Sequence, residues 1–215
     1  RAQDGARLMT LQPFKPITAV AAPIDLPNVD TDQLAPVRFL RRPRAEGYAD
    51  VLFHDLRFTA PGVESDGFIL NRNEFRSAKI LIGGRAFGVG SSREQAVWAL
   101  VDYGIRCVIA ESFGDIFYNN AVKHGLLLIV GAGNALEVER RTLHEKPGTR
   151  LSVDLENQSW QREGGAPHRF EIEAGRKRRL LLGLDEIQLT LQHDAEIPAF
   201  AAGYRNRRPW LFRSS

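Results

Sequence analysis

This 215-residue chain has one cysteine, one methionine and no long apolar run, and each scarcity removes a class of protein. A lone Cys107 cannot close an intramolecular disulfide, which fits a reducing compartment. One thiol also cannot hold an iron–sulfur cluster, which takes three or four. Cys107 is flanked by Ile105, Val108 and Ile109 in a run that reads as a buried strand, so it is read as structural rather than nucleophilic. The five histidines (His54, His124, His144, His168, His193) show no HxxxH or HxH spacing, which argues against a zinc site. No stretch approaches the roughly 20 apolar residues needed to span a bilayer. Residues 1–7 have no hydrophobic region behind them, so no signal peptide is expected. Met9 reads as the natural start, residues 1–16 as a disordered extension, and the cytoplasm is the expected compartment.

Charge of one sign is not in large excess either: 29 Lys and Arg face 26 Asp and Glu, a net of +3. The basic residues gather in runs at 38–44, 176–179 and 205–213 without a repeating aromatic pattern. Solvated faces are the expectation, and nucleic acid is rejected as a partner. With 43% hydrophobic and 26% charged residues, the chain can bury one core with at most a modest appendage.

Residues 17–75 are rich in Pro, Asp and Arg and read as loops with short elements. From 79 to 130 the pattern sharpens. Residues 79–83 form an apolar strand, 92–103 a helix closed by Gly104, and 105–110 a β-branched strand. Residues 112–124 form a second helix closed by Gly125, and 126–130 a third strand. Strand–helix–strand–helix–strand with short links implies parallel pairing with right-handed crossovers. A helix at 135–144 follows. The alternating stretches 151–155, 168–172 and 187–191 then read as strands of a second, partly antiparallel sheet. The expected class is α/β, with a parallel βαβαβ core, that second sheet and a basic tail at 204–215. The tail's apolar residues Trp210, Leu211 and Phe212 either pack loosely or touch a partner.

The strongest local signal is Gly83-Gly-Arg-Ala-Phe-Gly-Val-Gly-Ser-Ser-Arg-Glu94, which joins a strand to a helix. It is not a phosphate-cradling P-loop, because no lysine follows its glycines. It is not a dinucleotide fingerprint, because the third glycine is missing. A nucleophile elbow fails too, because Ser92 and Arg93 follow Ser91. What remains is a glycine-rich turn that delivers Ser91, Ser92 and Arg93 to a helix N-terminus. One reading is structural: Ser91-x-x-Glu94 has the form of a capping box. The other is functional, since free amides and the positive helix end favour an anion and Arg93 adds a planar carboxylate clamp. A helix end supplies about 0.3–2 kcal/mol, and about 1.4 kcal/mol moves a pKa by one unit. That alone does not ionise a serine near neutral pH, so a serine base needs positive charge from elsewhere.

Phe87-Gly-Val-Gly-Ser-Ser-Arg-Glu94 closely resembles the FGxGSSRE loop of the swivelling domain of the aconitase superfamily. Asn28-Val-Asp-Thr-Asp32 resembles that family's NxDTD element. Trp98-Ala-Leu-Val-Asp-Tyr-Gly104 and Ser112-Phe-Gly-Asp-Ile-Phe-Tyr-Asn119 resemble the segments after the serine loop. Residues 183–194 are similar to the C-terminal signature of bacterial isopropylmalate dehydratase small subunits. The matches run in order from about Ile17 to Phe200. The resemblance implies a swivelling β/β/α domain over 17–203. It also implies a heterodimer or heterotetramer with a large subunit that holds a [4Fe–4S] cluster, leaving no cofactor on this chain. It further implies a hydro-lyase that interconverts 2- and 3-isopropylmalate in leucine biosynthesis. Ser91 would take a proton from carbon, while Ser92 and Arg93 bind substrate carboxylate. Leu40 would touch the isopropyl group and Arg41 a carboxylate. Asp30, Thr31, Asp32, Gly88 and Gly90 would shape the loop.

Three positions depart from that family: Gln95 where it has His, Val89 for a frequent Cys, and Val97 for a frequent Pro. The substrate therefore stays open to another methylated hydroxy-diacid, such as dimethylmalate or citramalate, and a non-catalytic scaffold is the rival reading. Asp30-Thr-Asp32 also opens like a calcium loop. Ala35 and Arg41 stand where glycine and glutamate are required, and calcium is rejected. The alternative for this element is an Asx-turn. Leu40 and Arg41 have a plain alternative as core and surface residues. His193 and Asp194 are read as structural.

Overall fold

The computed structural model describes residues 11–191, 194 and 196–212. Its first elements are β1 (Ile17–Pro23), α1 (Thr31–Leu34), α2 (His54–Arg57), β2 (Phe58–Ala60) and β3 (Val63–Glu64). Then come β4 (Ile80–Ile82), α3 (Glu94–Tyr103), β5 (Cys107–Ala110), α4 (Asp115–Lys123), β6 (Leu127–Val130) and α5 (Gly133–Glu145). The last part holds β7 (Arg150–Asp154), β8 (Ser159–Arg162), β9 (His168–Arg169), α6 (Ala174–Leu182), α7 (Glu186–Leu191) and α8 (Glu196–Arg207).

The main sheet has seven strands in the order β6-β5-β4-β1-β7-β8-β9, and β2 and β3 form a separate hairpin. β1 is shared by two halves. Its residues 21–23 pair in parallel with β4, and its residues 17–20 pair antiparallel with β7. The antiparallel strands expected as a second sheet therefore continue the parallel one through β1. The apolar runs at 80–82, 107–110 and 127–130 are unbroken because helices cover both faces of that half. Leu81, Val108 and Leu128 point toward α3 and α4, where Ala96, Leu100, Phe117 and Ala121 pack. Ile80, Ile82, Cys107, Ile109 and Ile129 point the other way, onto Leu136 and Leu143 of α5 and Leu180 of α6. Each such Val, Leu, Ile or Phe side chain contributes about 1.5–3 kcal/mol by leaving water.

Four expectations are corrected. Residues 187–191 are helical, not a strand: the carboxylate of Asp185 accepts the amide of Gln188 at 2.7 Å, and the Gln188 side chain accepts the amide of Asp185 at 3.0 Å. That reciprocal cap starts a helix which the alternation of Ile, Gln, Leu, Thr and Leu disguised. β9 ends at Arg169, short of the expected 172. Residues 11–16, expected within a disordered extension, lie against the body. Phe14 is buried and donates its amide to the carbonyl of Leu180 at 2.8 Å. The tail boundary expected at 203/204 falls inside α8. Residues 1–10, His193 and 213–215 lie outside the described residues.

Candidate active site

The serine loop leaves the C-terminal end of β4, the edge of a parallel sheet where ligands usually sit. Phe87 anchors it: the residue is fully buried, its amide donates to the carbonyl of Ser112 at 2.9 Å, and its carbonyl accepts from Gly114 at 3.0 Å. Gly88 follows at φ +74°, and a Cβ there would stand 2.3 Å from the ring of Phe117. Only glycine satisfies both the backbone and that ring. Ala86 is also left-handed, at φ +57°, so the loop holds strain in a residue that disfavours it.

The segment expected to shape this loop is hydrogen-bonded to it. The Gly88 amide donates to the carbonyl of Val29 at 2.6 Å, and the Thr31 amide to the carbonyl of Val89 at 2.9 Å. The Thr31 hydroxyl donates to the carbonyl of Ser91 at 3.1 Å. Asp30 caps α1 through a reciprocal pair with Gln33, at 2.7 and 3.0 Å. Asp30 and Thr31 thus serve the local turn and the loop together.

Ser91 and Ser92 are exposed, while the Arg93 side chain is 11% exposed. The Arg93 guanidinium makes a two-pronged pair with Asp32, donates to Oγ of Ser91 at 3.2 Å and reaches the carbonyl of Ala35 at 3.5 Å. α3 begins at Glu94, with Arg93 at its N-cap and no side chain closing that end. The capping box expected between Ser91 and Glu94 is therefore not formed. Thr31 holds the Ser91 carbonyl and Arg93 engages its hydroxyl, which keeps Ser91 ahead of the helix instead of at its cap.

Leu40 is half-buried at the end of the 37–39 turn, and its carbonyl accepts from Nε2 of Gln95 at 3.3 Å. Gln95, one of the departures in the loop, thus ties the Leu40 turn to the first turn of α3. Arg41 is exposed. Its neighbours in the basic run are not a free cationic patch: Arg38 pairs with Asp55, Arg42 with Asp50 and Arg44 with Asp102. Sequence reading missed these pairs, and it missed Asp32 as the partner of Arg93. The latter two residues are 61 positions apart, and no local pattern announces such a contact.

Chemically, the edge presents an exposed hydroxyl beside a guanidinium at a positive helix end, which favours an anionic oxygen. Asp32 offsets part of that charge. Cys107 is fully buried in β5, where burial pushes its thiol up and away from the thiolate a metal needs. Among the described residues, no group of three or more His, Cys, Asp or Glu is gathered as a metal site. No helix among them is long and apolar enough to cross a membrane.

Residues 11–132 match the family model of the aconitase C-terminal domain. Residues 186–214 match that of the C-terminal domain of the 3-isopropylmalate dehydratase small subunit. The 3-isopropylmalate dehydratase small subunit of Phenylobacterium zucineum is 45% identical over 202 residues, covering 94% of this chain and 98% of that one. That of Cereibacter sphaeroides is 42% identical over 201 residues, covering 94% and 100%. The crystal structure of 3-isopropylmalate dehydratase from Methanocaldococcus jannaschii superposes with a TM-score of 0.63 at 26% identity. It covers 86% of this chain and 99% of that one.

Proposed function

Because the chain belongs to the family of 3-isopropylmalate dehydratase small subunits, we propose that its serine loop forms one wall of a shared active site. The chain acts with a large subunit as a hydro-lyase of leucine biosynthesis. The reaction interconverts 2- and 3-isopropylmalate by loss and re-addition of water. In this reading Ser91 removes the proton from carbon, and Ser92 and Arg93 receive a substrate carboxylate. Leu40 meets the isopropyl group, with Arg41 toward a second carboxylate.

The observation that carries the reading is the contact of Arg93 with Ser91 Oγ at 3.2 Å on an exposed edge. A cation there lowers the cost of a serine alkoxide. Asp32 occupies the guanidinium fork in the isolated chain, and 53% of its side chain is exposed. A substrate carboxylate that takes its place swaps one carboxylate for another on the same guanidinium and returns the exposed Asp32 to water. Full ionisation of Ser91 needs more positive charge than this chain places there. That charge comes from across the open edge, from the partner.

The residues of this chain do not fit an iron–sulfur cluster, since its one thiol is sealed in β5. We assign the [4Fe–4S] group to the large subunit, in a heterodimer or heterotetramer in the cytoplasm. The test is anaerobic reconstitution with the large subunit and a panel of diacids including 2- and 3-isopropylmalate, dimethylmalate and citramalate. Turnover of the isopropylmalates above the others supports the reading, and a complex inert toward all of them removes it.

A further inference from the structure

We infer that residues 186–191 and 196–212 carry the docking element that holds the large subunit, an inference that rests on the functional reading above. Seven of the thirteen large apolar side chains exposed among the described residues fall in this short stretch. Ile187, Leu191, Phe200, Trp210, Leu211 and Phe212 are each 48–66% exposed, and α8 buries none of its residues. Exposed apolar area concentrated this way marks a binding surface rather than scattered surface residues.

The tail also has an internal order. Phe200 stacks on Tyr204 with ring centroids 6.0 Å apart, and Tyr204 meets Phe212 edge-on at the same distance. Arg205 lies 5.4 Å over the Phe212 ring and Arg208 5.1 Å over that of Tyr204. Aromatics backed by arginines are the composition of energetic anchors at protein interfaces. The cations call for an acidic rim on the partner.

Two features favour the large subunit over other occupants. The family model named for the C-terminal domain of aconitase, by that description one part of a longer chain, matches only 11–132. The family model named for the separate small subunit matches 186–214. The tail is thus the part of this chain that matches a model named for small subunits, and a separate chain needs a non-covalent hold on its partner. In addition, the tail leaves the body at Gly183, which packs against Leu11 and Pro13. Leu11 in turn lies beside Gly125, just before β6. That is the N-terminal edge of the parallel strands, opposite the serine loop, so the tail can serve assembly without taking part in chemistry.

The test uses the full chain with Phe200→Ala, Trp210→Ala and Leu211→Ala combined, since exposed side chains leave the fold intact, as circular dichroism would verify. Activity is titrated against the large subunit, and co-elution is measured on the same samples. The half-saturating concentration of large subunit should rise about tenfold or more, the minimum expected for losing interface anchors. Activity at saturation should stay within about twofold, and adding Arg205→Gln and Arg208→Gln should widen the shift most at low salt, where the pairs made by wild type are least screened. An unchanged half-saturating concentration overturns the inference. So does a wild-type homodimer that the substitutions dissolve. Wild type that binds the large subunit yet turns over no diacid sinks the functional reading while leaving the docking element standing.

Discussion

Ser91 has its carbonyl held by Thr31 and its hydroxyl by Arg93, and it sits three positions ahead of the first helical residue, Glu94. The helix-end duty that a serine at this spacing suggests is therefore absent. Ser91→Ala should change stability by no more than about 0.5 kcal/mol, as for an exposed side chain outside a cap. Turnover of the reconstituted complex should fall about 10²–10⁴-fold, the usual loss of a positioned base. Activity within a few-fold of wild type, corrected for the fraction assembled, would eliminate Ser91 as the base. Ser92→Ala is the neighbouring control. Gly88 offers the opposite profile. Gly88→Ala places a methyl group into the Phe117 ring and keeps φ at +74°, and a strained position alone costs about 1–3 kcal/mol. Its melting temperature should drop before any kinetic effect is measured, and an unchanged melting curve would show that the loop relaxes freely.

At the scale of elements, α3 and α4 are joined where the Trp98 indole N–H donates to Nε2 of His124 at 3.1 Å. That bond requires an unprotonated Nε2, and burial holds the His124 pKa below its ordinary value, against the opposing pull of Glu94. The unfolded chain therefore binds the proton more readily, so this residue's contribution to stability is full above about pH 6.5 and is lost as pH falls below it. His124→Gln should flatten the decline in melting temperature between about pH 7 and pH 5. A variant whose melting temperature declines as steeply as wild type would remove His124 from that role. The same two helices show what the sequence makes legible. Between 79 and 130 each element is short-range and punctuated by a glycine, such as Gly104, which ends α3 at φ +108°. Period and punctuation suffice there. At 187–191 a two-residue alternation competed with the reciprocal cap of Asp185 and Gln188, and the cap prevailed. The serine loop was legible as a motif. The Asp32–Arg93 pair and the Gln95–Leu40 tie were not, because contacts across 61 and 55 residues exist only after folding.

For the whole molecule, the decisive property is that its candidate residues line an open edge. Ser91, Ser92 and Arg41 face solvent, and the Arg93 guanidinium beside Ser91 is already paired with Asp32. A diacid with two negative charges gains little from such a surface, since exposed ion pairs are worth about 0–1 kcal/mol and association has its own entropic cost. The isolated chain should therefore show no saturable binding of 3-isopropylmalate by calorimetry and no turnover. The complex with the large subunit should show both. Within that complex, Leu40→Ala should cost about 1–3 kcal/mol of preference for the isopropyl over the methyl diacid, the worth of an apolar contact of that size. In this proposal the half-buried Leu40 turn, whose carbonyl Gln95 holds at 3.3 Å, presents the side chain. Gln95→Ala should accordingly shift preference in the same direction and by a smaller amount. An isolated chain that binds the diacid as tightly as the complex would show that the site is not shared. An unchanged preference in Leu40→Ala would move the specificity wall to the partner.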